Sequence, residues 1–86
     1  MKMMFRPNCS GFAEAMKQAQ EIDATPEALL KVVTEIVGEQ HASAGIECKY
    51  ATFDTRNLWD TYYVVVRGWG IVGYCTQDVF SKEHRV

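Results

Sequence analysis

"WDTYYVVVRGWGIVGYCTQD", residues 59–78, decides the fold. It holds two apolar runs, a glycine-bearing joint and five aromatic side chains in twenty residues. β-Branched and aromatic residues suit a half-buried pleated surface. The stretch 60–67 is therefore predicted to be a strand, with 71–76 its antiparallel partner. Side chains alternate between faces along a strand. Tyr62, Val64 and Val66 are the more apolar set and are expected to face the core, leaving Thr61, Tyr63, Val65 and Arg67 on the other side. The joint Gly68-Trp69-Gly70 has two solutions. Either Gly68-Trp69 makes a two-residue turn with Gly first, or all three residues form a loop with Gly70 at positive φ. These differ by one residue in register, which flips every side chain of the last strand. Both leave Trp69 at the loop tip.

Upstream of the hairpin, "IECKYATF" (46–53) alternates and reads as a half-buried strand, followed by the polar turn "DTRN" (54–57). The helix before it carries the clearest local signals. Thr25 is an N-cap, Pro26 suits the first helical position, and Glu27 favours the positive end of the helix dipole. Leu29, Leu30, Val33, Ile36 and Val37 form an amphipathic stripe over a helix from Pro26 to about His41. Gly38 interrupts its last turn, and Gly45 is the better stop. Residues 11–20 contain good helix formers, with Phe12, Ala15, Met16 and Ala19 on one face and Ser10 as the cap. Residues 1–6, stopped by Pro7, read as an N-terminal strand, since proline tolerates a strand end. Residues 20–23 read as a short extended link. The resulting expectation is an α+β domain: an antiparallel sheet of three to four strands with two helices packed on one face.

The 86 residues make one domain, 1–86, with a polar tail at 81–86 expected to fray. The apolar fraction of 48% is that of a globular chain. A net charge of −2 argues against binding duplex nucleic acid, which depends on neutralising phosphates. No apolar run is long enough to span a bilayer. "MKMMFRPNCSG" lacks the apolar core of a secretory signal, so a cytoplasmic location is expected. Cys9, Cys48 and Cys75 lack a C-x-x-C spacing and are expected to be free thiols, neither a redox nor a metal site, with a Cys9–Cys48 or Cys48–Cys75 bridge as the alternative.

Motifs for chemistry are sparse. "GWGIVG" (68–73) matches G-x-G-x-x-G, but it lies in a hairpin and does not open a helix after a strand. Cys–His pairs drawn with His41 or His84 are outweighed by His41 simply favouring a helix C-terminus. A zinc site would need ligands from four separate elements. Glu35 and Glu39 share a solvated helix face, and Asp54 and Asp60 are expected to cap a loop. No catalytic residues, metal ligands or cofactor are therefore expected. The remaining signal is aromatic. Tyr50, Phe53, Trp59, Tyr62, Tyr63, Trp69 and Tyr74 are too many for one face of a small sheet. Trp, Tyr and Arg are the types enriched in interface hot spots. Tyr63, Arg67, Trp69, Tyr74, Trp59 and Arg6 are the candidate binding residues.

Met4-Phe5-Arg6-Pro7, a short polar turn, and then Gly11-Phe12-Ala13-Glu14-Ala15-Met16-Lys17 resemble the start of small phage and prophage proteins. The capped helix from Thr25 and the late W-x-x-Y-x-V strand followed by "GYCT" are similar to them as well. Here the turn reads Asn8-Cys9-Ser10 in place of a more usual basic residue, which argues against anion binding there. The resemblance carries over no functional residues. It implies a bacterial host cytoplasm and a non-enzymatic accessory protein that binds a host protein or itself, countering a host defence. An alternative is a nucleotide-type ligand held by Arg6, Arg67 and the aromatics. A third reading is single-stranded nucleic acid stacked on the sheet, which lacks the basic groove such binding uses.

Overall fold

The computed structural model describes residues 1–8 and 17–81. Its elements are β1 (Lys2–Pro7), β2 (Gln20–Asp23), α1 (Pro26–Val37), α2 (Glu39–Ala42), β3 (Ile46–Asp54), β4 (Trp59–Val66) and β5 (Gly70–Cys75). The strands form one antiparallel sheet in the order β2-β1-β5-β4-β3. The class is α+β, but the sheet has five strands rather than three to four. Of the helix expected over 11–20, residues 11–16 lie outside the described residues, as does the tail beyond Ser81, while Gln20 belongs to β2 rather than to a helix.

The extra strand is Gln20–Asp23, which pairs with β1 from Lys2↔Asp23 to Phe5↔Gln20. Ile22 is its one apolar residue, too little for a local alternation signal. What holds it is non-local: the β1 ladder, and an ion pair from Lys2 Nζ to Asp23 that keeps the Asp23 carboxyl below its usual range. β1 itself lies inside the sheet, between β2 and β5. Its far end pairs Arg6↔Tyr74 and Pro7↔Gly73, and Asn8 N–H donates to the Val72 carbonyl at 3.0 Å.

The hairpin loop takes neither expected form in full. Val66 pairs with Gly70, so Arg67-Gly68-Trp69 is the loop, closed by Trp69 N–H donating to the Val66 carbonyl at 2.9 Å. Gly68 has φ +78° and Gly70 φ +114°, conformations that glycine adopts without a Cβ penalty. Gly70 is thus at positive φ, as in the longer alternative, but the loop begins one residue earlier. A bulge follows: Val65 pairs with Ile71 and Val64 with Gly73, so Val72 is the extra residue. It turns into the core and is 3% exposed.

The core lies between the sheet and the helices. Phe5, Val64, Val66, Cys75 and Val79 are buried with Leu29 and Val33, and Tyr62 packs partly against them. The expected inward set of β4 is therefore observed. Thr25 caps α1, its Oγ1 accepting from Ala28 N–H at 3.1 Å. The helix stops at Val37 rather than continuing to His41, because Gly38 sits at φ +88°, outside helical backbone; α2 then restarts for one turn. Leu29, Val32, Val33 and Val37 are the buried stripe. Leu30 and Ile36, expected inside, are 46% and 43% exposed. Leu30 falls just past Val37 at the edge of the buried arc, whereas Ile36 falls within the arc between Val32 and Leu29 and its exposure has no explanation in helix periodicity.

Gly73 shows why β1 and β5 fit. A Cβ there would lie 2.4 Å from the Arg6 carbonyl oxygen and 2.7 Å from Phe5 Cζ. The ring of Phe5 occupies the space that a side chain at 73 would take, and Phe5 is fully buried. Gly73→Ala is expected to destabilise the domain by about 1–3 kcal/mol, the range for overpacking a core. Urea unfolding checks this, and an unchanged midpoint would contradict the close approach.

Candidate binding face

The face of the sheet opposite the core collects four of the six candidate residues. Alternation along β4 places Trp59, Thr61 and Tyr63 there together. The β1–β5 register adds Arg6 directly across from Tyr74. The Arg6 guanidinium lies 5.1 Å from the centroid of the Tyr74 ring, a cation–π contact. Tyr63 lies on the far side of Tyr74, with ring centroids 5.6 Å apart and planes tilted by 49°. A small pocket opens beside this row, lined by Met4, Arg6, Ala19, Trp59, Thr61 and Tyr74 among others. Arg6, Trp59, Tyr63 and Tyr74 are all half-buried, so each ring keeps part of its surface open. Thr61 beneath them is 5% exposed.

Arg67 and Trp69 are not part of this row. The loop turns them toward the end of the helix layer. Trp69 packs edge-on to His41 of α2, with centroids 4.8 Å apart, and Arg67 N–H donates to the Gly45 carbonyl at 3.0 Å. Trp69 is nonetheless 51% exposed, as a loop-tip ring is expected to be. His41 Nδ1 lies 3.1 Å from the Val37 carbonyl oxygen at the end of α1.

Asp54 holds the β3–β4 turn. Its Oδ1 accepts from the backbone N–H of Arg56 at 2.8 Å and of Asn57 at 3.2 Å, and its Oδ2 accepts from Asn57 Nδ2 at 2.9 Å. The bond from Asn57 is the main reason the carboxyl stays below its ordinary range. Asp54 therefore caps the loop as expected. Asp60 is an exposed strand residue paired with Phe53.

Cys48 and Cys75, one of the two pairings left open as a bridge, are free thiols whose Sγ atoms lie 3.8 Å apart on the core side, and Cys9 lies outside the described residues. Cys75 Sγ also donates to the Gln77 carbonyl at 3.1 Å. The bond with Cys48 draws the Cys75 thiol below its ordinary value, while the same bond and burial push Cys48 up. Among the described residues no group of three or more His, Cys, Asp or Glu side chains could hold a metal ion. No described helix is long and apolar enough to cross a membrane.

Compared with models of known protein families, with curated proteins and with solved structures, the chain matches none.

The two thiols are in contact but are not placed to bond. β4 runs between β3 and β5, so ladder spacing puts the two backbones roughly 9–10 Å apart, beyond the ~4.4–6.8 Å of disulfide Cα pairs. Incubation of the folded protein with oxidised glutathione is expected to yield no Cys48–Cys75 cross-link in a non-reducing peptide map. A cross-linked pair would show that the strands approach more closely than the sheet order allows.

Proposed function

We propose that this is a non-enzymatic binding protein that engages a protein partner through the Arg6–Tyr74–Tyr63–Trp59 face. The observation behind the reading is the grouping of these residues on one face, with Arg6, Tyr74 and Tyr63 in contact and Trp59 beside them. A cation and three aromatic rings, all half-open, lie on the sheet face turned away from the core. Such residues supply large contact area at small cost in side-chain entropy, and they dominate measured interface hot spots. The resemblance of the N-terminal segment and β4 to small phage and prophage proteins supplies the setting: an accessory protein acting on a bacterial host protein to counter a host defence. The small size of the pocket favours a protein surface over an enclosed ligand.

A nucleotide-type ligand is the second reading, favoured by one feature. The pocket places the Arg6 side chain and the Trp59 and Tyr74 rings beside Thr61 and Thr76. A base could stack there while a phosphate met the guanidinium.

Capture from a bacterial lysate on immobilised protein, repeated with Arg6→Ala and Tyr74→Ala, separates the two. On the protein-partner reading the wild type retains a specific protein, and each variant weakens the measured affinity by at least about 30-fold, the hot-spot range. Both variants should keep wild-type circular dichroism, since both side chains are only half-buried and lie outside the core cluster. Capture that is indifferent to both substitutions rejects the face. Nucleotide co-eluting in place of protein selects the second reading.

A further inference from the structure

We propose that β3 pairs antiparallel with β3 of a second copy of this chain, centred on Cys48, to give a continuous ten-stranded sheet. The interface runs along the β3 edge and does not depend on the Arg6–Tyr74 contact, although Lys49 adjoins Tyr63 of that face. The two edges of the sheet are unlike. The β2 edge is four residues long and carries Glu21 and Asp23, the usual way an edge is blunted. The β3 edge is nine residues long and includes Tyr50 and Phe53, 59% and 46% exposed.

The ladder with β4 determines which backbone groups β3 leaves open. Arg67 N–H bonds the Gly45 carbonyl, and the register continues with Glu47↔Val65 and Lys49↔Tyr63. In an antiparallel pair, hydrogen-bonded residues alternate with non-bonded ones. Gly45, Glu47 and Lys49 therefore direct their N–H and C=O groups toward β4. Ile46, Cys48 and Tyr50 direct theirs outward, and among the described residues no group takes them up. The bulge at Ala51 ends this regular stretch, so the open ladder is Ile46 to Tyr50.

A two-fold axis can join two such edges in few ways, because only outward-directed residues can exchange bonds. Centring on Glu47 or Lys49 sets like charges face to face. Centring on Ile46 sets Glu47 against Gly45, and centring on Tyr50 runs the partner into the bulge. Centring on Cys48 pairs Ile46 with the partner's Tyr50 and sets Glu47 opposite the partner's Lys49, twice by symmetry. Glu47 and Lys49 already contact each other within one chain at 3.6 Å, so the dimer would close a four-charge square on the solvent side. Opposite charges facing each other across strands stabilise the pairing and like charges oppose it. The self-complementary pattern fits a second copy of this chain better than an arbitrary strand.

Sedimentation equilibrium tests this at low ionic strength, with circular dichroism to confirm that each variant is folded. The wild type is expected to dimerise. Lys49→Glu and Glu47→Lys alone should each weaken the dimer at least tenfold, because each creates like-charge pairs. Mixing the two single variants should restore a one-to-one dimer, and so should the double exchange Glu47→Lys with Lys49→Glu. A wild type that stays monomeric at the highest attainable concentration overturns the proposal. So does a dimer insensitive to the single reversals, or one that the mixture fails to restore.

Discussion

The ring of Phe5 lies where a side chain on Gly73 would be, and that contact joins the two halves of the molecule. β3, β4 and β5 are consecutive hairpin strands held by local turns. β1 comes from the other end of the chain and enters the sheet only because Gly73 leaves room for Phe5 and for the Arg6 carbonyl. With β1 seated, β2 gains a partner, and α1, which follows β2 at once, is set over the sheet. Leu29, Val33 and Val37 then close over Phe5, Val64 and Val66 in a single cluster. In so small a domain, whose net stability is expected to be modest, the described residues form one buried cluster, so losing it is costly.

The same pairing creates the proposed binding face. Arg6 stands next to Phe5, so fixing Phe5 on the core side forces Arg6 onto the opposite side, where the register sets it against Tyr74. The guanidinium then lies over that ring, and Tyr63 of β4 completes the row. Core packing and the proposed binding face are thus two consequences of one strand alternation. The β3 edge is independent of it. Its open backbone groups follow from the β4 ladder alone, and the bulge at Ala51 limits how far a neighbouring strand could extend.

What could be read from the sequence was local in origin. The cap at Thr25, the inward set Tyr62–Val64–Val66 and the polar turn around Asp54 each announce themselves within a few residues, and each is present. The placement of β1 and the existence of β2 could not be read, because Lys2–Pro7 and Gln20–Asp23 are strands only by virtue of partners distant in sequence. Gly38 was visible as an interruption, but its φ of +88°, which ends α1, was not. At the candidate site, alternation alone unites Trp59 with Tyr63. Adding Arg6 required the β1–β5 register. Arg67 and Trp69 separate from the row because the loop begins at Arg67 and bends back toward α2. The meeting of Cys48 and Cys75 had no local sign, since the two are brought together across an intervening strand.

β1 is an integral inner strand tied to β5 through Phe5 and Gly73. Native-state amide hydrogen exchange tests it most directly, because inner strands open only with the whole domain whereas frayed termini exchange at once. The amides of β1 that bond to β5 and β2 are expected to exchange as slowly as those of β4, through global unfolding. Fast exchange throughout Lys2–Pro7 beside a protected β4–β5 hairpin would contradict the account.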